Sequence, residues 1–277
     1  MSTVSDLAAK IAQQNVILFV GSGVSRNLGL PMLNDIVDHV ALQLGYDPAV
    51  FATYAEAPAL IEYYYLQKPS ARGELRSWMD AQFHQPHIDI SKSTVHRLIV
   101  SLGFVQIYTT NYDRWLEKAF EVLSRQDVAV IRGVADLARS TRADVEIVKF
   151  HGDLFEDDSI VLSQSSYFER FGFDHPLDIK LRSDTLGKTL LFIGYSLSDI
   201  NVLHLLYKLK RLWTSEPYRE FKPHSYVFDA KPNPVRYSVW RHLDVTPIES
   251  DIEEPRAALE DFLTSLVTAK GPSRNSV

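Results

Sequence analysis

The chain has 277 residues, of which 45% are apolar and 23% are charged, as expected for one large globular domain or for a domain with an insertion. The net charge of −6 argues against a general nucleic-acid-binding face, which would show as a basic excess. Because the sequence contains no cysteine, disulfides and thiolate zinc sites are excluded.

The predicted elements begin with a short amphipathic helix over residues 3–14, followed by an apolar strand, Val16–Val20, and a glycine-containing loop. Five consecutive apolar residues are too few for the core of a signal peptide or for a membrane span, so we expect a cytoplasmic protein without membrane contact. A second helix is predicted over residues 31–44, and Gly45 would end it.

Residues 47–90 differ in composition and in hydrophobic pattern from the rest of the chain. They contain no strand-like run, and their aromatic residues recur at helical spacings, which predicts a helical insertion packed over the sheet. Such an aromatic stripe is more often core than a ligand site. A self-association surface within the insertion and a lid that packs only intramolecularly are equally good interpretations of its size.

Beyond the insertion, strands and helices alternate. Helices are predicted over residues 94–102, 115–123, 165–171, 177–186, 200–212 and 253–268, and strands over residues 105–108, 128–131, 145–150, 190–193, 226–228 and 243–245. This order predicts an α/β fold, a Rossmann-like parallel sheet covered by helices on both faces. Residues 1–270 would form one domain that includes the insertion, and residues 271–277 would be a disordered tail.

Four short polar stretches each follow one of the apolar runs. In open α/β sheets, ligands bind outside the carboxyl ends of the strands, so the four stretches are expected to share one crevice. They are Gly21-Ser22-Gly23-Val24-Ser25, Thr110-Asn111-Tyr112-Asp113, His151-Gly152 and Gly194-Tyr195-Ser196.

Taken singly, each stretch also has a purely structural interpretation. Gly21 and Gly23 could admit a pyrophosphate close to the backbone or simply form a tight turn. Asp113 could cap the following helix, whereas Asn111 is harder to explain as a cap. Asp199, just beyond the fourth stretch, suits a helix cap and a ligand contact equally well.

In this order the four stretches resemble the sirtuin-type NAD-binding fold. The similarity is greatest to the sirtuin-like NAD hydrolases of bacterial antiphage defence systems, whose recurrent phrases match Gly29-Leu30-Pro31 and residues 109–113, 149–153 and 194–201. The resemblance extends over residues 16–228. Sirtuin deacylases carry a four-cysteine zinc module that this chain lacks, and their loop sequence after the proline differs from Met32-Leu33-Asn34. Both differences argue against acyl-lysine chemistry.

The resemblance implies NAD as the substrate and cleavage of its nicotinamide–ribose bond, with no metal. The catalytic residues would be Asn111, which orients a water or a ribose hydroxyl, and His151, a general base. The residues expected to bind NAD are Gly21, Ser22, Gly23 and Ser25 at the pyrophosphate, Asp113 at the nicotinamide carboxamide, and Gly194 and Ser196 at the ribose-phosphate. Strand-end position alone suggests Asp229 for the adenosine ribose. An NAD-dependent protein deacylase and a non-catalytic NAD or ADP-ribose sensor remain alternatives.

Continuous NAD hydrolysis would kill the host, so the resemblance also implies control. We expect a homo-oligomer and a separate defence partner, such as a hexameric DNA-translocating ATPase of the HerA type or a short Argonaute. Direct nucleic-acid binding by this chain is not expected.

Overall fold

A computed structural model describes residues 3–139, 143–156, 159–172, 174–214, 217 and 221–271. Apart from Gly271, the predicted tail at 271–277 lies outside these residues. None of the helices in the described ranges is both long and apolar enough to cross a membrane.

In the part of the chain that the structure describes, seven parallel strands form one sheet in the order β3-β4-β2-β1-β5-β6-β7. The central strands are almost wholly apolar and buried, as parallel strands covered on both faces must be. In chain order the strands are β1 (Val16–Val20), β2 (Gln106–Thr109), β3 (Val128–Ile131), β4 (Val145–Lys149), β5 (Thr189–Ile193), β6 (Ser225–Asp229) and β7 (Val245–Glu249). The prediction of an α/β fold with a parallel sheet is confirmed.

Helices precede, connect and follow the strands. They are α1 (Thr3–Ala12), α2 (Ser22–Arg26), α3 (Leu33–Gln43), α4 (Pro48–Phe51), α5 (Ala57–Gln67), α6 (Ala71–Phe83), α7 (Thr94–Leu102), α8 (Trp115–Leu123), α9 (Val134–Arg139), α10 (Gln164–Glu169), α11 (Pro176–Thr185), α12 (Ile200–Thr214), α13 (Pro234–His242) and α14 (Pro255–Lys270), with a 3-10 turn at Ile90–Lys92. Helices α2, α9 and α13 were not predicted.

The strand predicted over residues 243–245 is wrong for its first two residues. Leu243 caps α13, and Asp244 has a left-handed backbone with φ of +60°, which ends any extended run. The strand begins at Val245 and includes Pro247. Proline is tolerated here because β7 is an edge strand.

Among the described residues, buried apolar side chains form three clusters. One contains α1, α7 and α14 against one face of the sheet, and the second contains α11, α12 and α13 against the other. The third lies mainly within α3–α6, around Phe51, Ile61 and Tyr64, and also includes Leu30, Leu154 and Leu162 from neighbouring loops. This helical module has a core of its own, and α3 shares that core although it precedes the predicted insertion at 47–90.

The strand order places a topological switch point between β1 and β5. After β1 the chain adds β2 beside it, then the edge strand β3, then β4 between β2 and β3, and it returns to the other side of β1 as β5. The four polar stretches follow β4, β2, β1 and β5, which are consecutive in the sheet. Their loops therefore meet at one edge, as the strand-end argument predicts.

Candidate active site

A cleft of about 830 Å³ lies at the carboxyl edge of the central strands. Its volume is within the range of small-molecule sites in proteins. The predicted site residues that line it are Ser22, Ser25, Asn111, Asp113, His151, Gly194 and Ser196. Additional lining comes from the helical module and from α10, including Asn34, Asp35, Glu56, Phe83 and Tyr167.

Gly21 and Gly23 serve backbone packing against the loop that follows β5. The Gly21 amide donates to the carbonyl of Ile193 over 3.0 Å, and the Gly23 amide donates to the carbonyl of Gly194 over 2.9 Å. A Cβ on Gly21 would come within 2.4 Å of the Gly194 carbonyl oxygen. Because both amides have protein acceptors and Ser25 Oγ donates its one proton to Asp113 Oδ2, the expected contact of this loop with a pyrophosphate depends on Ser22.

Asn111 is held by hydrogen bonds from its side-chain nitrogen and its backbone amide, while its side-chain oxygen has no hydrogen-bond partner among the described residues. Its Nδ2 donates to the carbonyl of Gly21 over 3.1 Å and to Ser25 Oγ over 2.8 Å. Its backbone amide donates to Thr109 Oγ1 over 3.0 Å. Asn111 Oδ1 is buried and accepts no hydrogen bond from the described residues, although the side chain lines the cleft. An amide oxygen held in this way favours a hydrogen-bond donor from a ligand.

Asp113 is a structural carboxylate as well as part of the cleft wall. Its Oδ2 accepts a 2.6 Å hydrogen bond from Ser25 Oγ, and its Oδ1 accepts one of 3.1 Å from the amide of Trp115 at the start of α8. Asp113 thus binds the first amide of α8, but the cap position itself is taken by Arg114, so the prediction of Asp113 as the cap residue is wrong by one position. Beneath it, the buried ammonium of Lys149 donates to the carbonyl of Asp113 and lies 3.3 Å from Glu117 Oε1. These contacts fix the turn that carries Asn111.

His151 pairs with a carboxylate that the site prediction did not include. Its Nε2 lies 3.0 Å from Asp199 Oδ2, and both side chains are nearly buried. Asp199 Oδ1 accepts from the amides of Asn201 and Val202 over 2.9 and 3.0 Å, so this side chain also caps α12. Burial acts to raise the pKa of Asp199, but His151 and the two amides outweigh it and lower that pKa below its ordinary value.

Three tyrosines surround this pair. The Tyr167 ring meets the His151 ring edge to face, with 5.5 Å between centroids. Burial, reinforced by the charge of Asp199, raises the pKa of Tyr112, Tyr167 and Tyr195 above the ordinary value. Their phenols therefore stay neutral around the carboxylate.

The other predicted residues are less central. Ser196 Oγ lies 2.7 Å from Ser198 Oγ at the cleft wall. Asp229 is not among the residues that line the cleft in the described structure, and its carboxylate accepts a 2.8 Å bond from Arg236 Nη2 of α13. Its contact with an adenosine ribose stays a prediction. The sequence favoured a helix cap and a ligand contact equally for Asp199. No signal in the sequence placed the helical module in the cleft wall.

A family model for the SIR2-like domain matches residues 105–248, just over half of the chain. The chain belongs to the SIR2-like family. The match includes β2 to β7 and the segments that carry Asn111, His151 and Asp199. It confirms the resemblance drawn from the four polar stretches.

Curated relatives of this SIR2-like protein include bacterial NAD(+) hydrolases. NAD(+) hydrolase ThsA of Bacillus cereus (strain MSX-D12) is 24% identical over 221 residues, which cover 79% of this chain and 44% of the relative. ThsA of Enterococcus faecium is 28% identical over 71% of this chain and 40% of the relative. Defense-associated sirtuin 2 of Bacillus subtilis is 26% identical over 74% of this chain and 20% of the relative. The chain therefore spans less than half the length of these relatives.

Solved structures of Sir2 homologues share the fold. A Sir2 homologue in complex with NAD aligns over 98% of this chain and 96% of its own, with a TM-score of 0.51 and 13% identity. A Sir2 homologue mutant in complex with ADP-ribose aligns over 97% of this chain and 98% of its own, with a TM-score of 0.52 and 12% identity. At such identities the likeness concerns the fold alone.

Proposed function

We propose that this SIR2-like protein is an NAD hydrolase that releases nicotinamide and ADP-ribose. The observation that carries the proposal is the unpartnered, buried Oδ1 of Asn111, in a cleft that also contains the ring of His151. The relatives named as NAD(+) hydrolases support it, and so do the cleft's volume and its place at the switch point.

The reaction breaks the bond between the ribose C1′ and the nicotinamide nitrogen. The electron pair leaves with nicotinamide, whose ring is cationic in the substrate, and positive charge develops on the ribose as in glycoside hydrolysis. Asn111 Oδ1 accepts a hydrogen bond from a ribose hydroxyl or from the attacking water. Water adds its oxygen to C1′, and His151 takes the proton that the water loses.

The remaining cleft residues would hold the dinucleotide. Ser22 supplies a hydroxyl for the pyrophosphate, and Ser25, whose hydroxyl proton is donated to Asp113, lies beside it in the same loop. Gly194 and Ser196 contact the ribose-phosphate, and Asp113 faces the nicotinamide carboxamide. Since both carboxylate oxygens of Asp113 already accept protein hydrogen bonds, this last contact would be shared.

The biological role would be antiphage defence by NAD depletion. The defence-associated relative supports this role, which requires that the activity be held back until a trigger acts. A homo-oligomer and a partner such as a HerA-type ATPase or a short Argonaute would provide that control.

The test is nicotinamide release from NAD alone, then with an acylated peptide, for the wild type, Asn111→Ala and His151→Ala. Each substitution should lower turnover by about 100-fold or more in a protein that is still folded at the assay temperature, as checked by circular dichroism. Release that requires the peptide would identify a deacylase, and NAD binding without release a sensor. Undiminished turnover in either variant would contradict the role of that residue.

A further inference from the structure

The contact between His151 and Asp199 determines which ring nitrogen is available for catalysis. Nε2 lies 3.0 Å from Asp199 Oδ2, a distance that allows an ion pair although the ring N–H is not aligned for a hydrogen bond, and a carboxylate is only an acceptor. A proton on Nε2 is attracted electrostatically to the carboxylate, whereas a bare Nε2 would set a lone pair against it. In the neutral ring the free lone pair is then on Nδ1.

Asp199 is held so firmly that it can impose this orientation. The two amides at the start of α12 bind Oδ1, which leaves Oδ2 directed at the histidine. Tyr167 covers the His151 ring edge to face, and the Tyr167 hydroxyl lies 3.5 Å from Asp199 Oδ2. Phe150 stacks on the imidazole, with 5.7 Å between centroids. The ring is thus enclosed by groups that disfavour its reorientation.

We propose that Asp199 is a positioning residue that keeps a proton on Nε2 of His151 and thereby makes Nδ1 the nitrogen that accepts a proton from the attacking water. The inference rests on the proposed function for its chemical step. That step moves one proton from water to Nδ1 as the water oxygen bonds to C1′ and nicotinamide departs. Asp199 remains a carboxylate throughout and stabilises the imidazolium that forms, as in other carboxylate–histidine pairs.

Two substitutions separate positioning from helix capping. Asp199→Asn and Asp199→Ser both keep a good N-cap for α12 but remove the carboxylate from His151. Glu254→Gln is the matched control, since Glu254 accepts from two amides at the start of α14, over 3.0 and 2.7 Å, and lies outside the cleft lining. All three variants should melt close to the wild type.

Nicotinamide release gives the first measurement. We expect kcat to fall about 10- to 100-fold in Asp199→Asn and Asp199→Ser, with KM within about threefold of the wild type, because general-base assistance is lost. Glu254→Gln should be unchanged. Wild-type kcat in a folded Asp199→Asn variant would overturn the proposal.

A second measurement does not depend on activity. In protein labelled with ¹⁵N-histidine, two-bond ¹H–¹⁵N correlations report which ring nitrogen is protonated, and His151→Gln identifies the signals of His151. A proton on Nε2 in the wild type, which becomes mixed between the nitrogens in Asp199→Asn, supports the proposal. A bare Nε2 in the wild type overturns it. A wild type with the Nε2 proton but no nicotinamide release would contradict the proposed function and leave the positioning contact established.

Discussion

Gly23 and Gly194 lie backbone against backbone, and this contact joins the loops that follow β1 and β5. The Gly23 amide donates to the Gly194 carbonyl over 2.9 Å, and a Cβ on Gly23 would come within 2.8 Å of Gly194 Cα. Gly194 also has a left-handed backbone with φ of +58°. The two central loops of the cleft are therefore one packed unit that only glycine permits at these positions.

Gly194→Ala is expected to destabilise the protein by at least about 1–3 kcal/mol, because the new Cβ would meet the Val24 amide nitrogen at 2.6 Å in a strained conformation. Urea unfolding measures the change. The matched control is Gly187→Ala, where a Cβ meets nothing within 4 Å, and its effect should be within about 0.5 kcal/mol. Equal stabilities of the two variants would contradict the packing argument.

Lys149→Met should destabilise the protein by about 3–5 kcal/mol, because it leaves the Glu117 carboxylate without its buried counter-ion. It also releases the carbonyl of Asp113, so nicotinamide release should fall as the turn that carries Asn111 loosens. The double variant Lys149→Met/Glu117→Gln removes both charges and should recover a coupling free energy of about 0.5–3 kcal/mol. Additive effects in urea unfolding would mean that the two side chains do not interact.

His96 should make the protein less stable in mild acid. Burial lowers its pKa from 6.5 to about 4, against a smaller opposing effect of Asp113. Between these two values the unfolded chain binds a proton that the folded chain does not, so the free energy of unfolding falls as the pH falls. The loss from pH 6.5 to 4 should be of the order of 3 kcal/mol.

The measurement is urea unfolding across that range for the wild type and His96→Gln. The variant should lose this part of the pH dependence, whereas His87→Gln, at an exposed position, should keep it. A His96→Gln variant with the full wild-type dependence would assign the effect to other groups.

The helical module exposes a group of apolar side chains that fits the predicted self-association. Leu42, Val50, Tyr54 and Leu66 are about half to three-quarters exposed, and the Tyr54 ring meets Tyr46. If this face forms an interface, Tyr54→Asp and Leu66→Lys should lower the mass measured by light scattering at micromolar concentration. Val239→Asp on α13 is the control. A monomeric wild type would contradict self-association, and an unchanged oligomer would place the interface elsewhere.

The strands and the residues that follow them were predictable because both depend on local pattern. Val16–Val20 is an unbroken apolar run, and Asn111 and His151 each lie two residues beyond the end of a largely buried strand. Helix α13 escaped prediction because only Tyr237 and Trp240 of its nine residues are buried, which leaves no clear periodicity. The same helix supplies Arg236, whose bond to Asp229 could not be foreseen without it.

The cleft wall required tertiary information. Glu56 and Phe83 reach the cleft because the helical module packs beside the sheet, and no spacing in the sequence encodes that approach. The double role of Asp199 was equally inaccessible. Its role as the cap of α12 involves only the next few residues and can be inferred locally. Its contact with His151 depends on the spatial order of strands that are far apart in the chain.

His151 and Asp199 belong to loops after β4 and β5, and β2 and β1 lie between those strands. The strands that precede the two residues are therefore three strand spacings of about 4.8 Å apart. The side chains nevertheless approach to 3.0 Å, between His151 Nε2 and Asp199 Oδ2. The length of this contact therefore depends on the width and twist of the whole four-strand segment. A core substitution that widens the segment slightly, far below the cleft, would lengthen the contact and slow turnover although it touches no residue of the cleft.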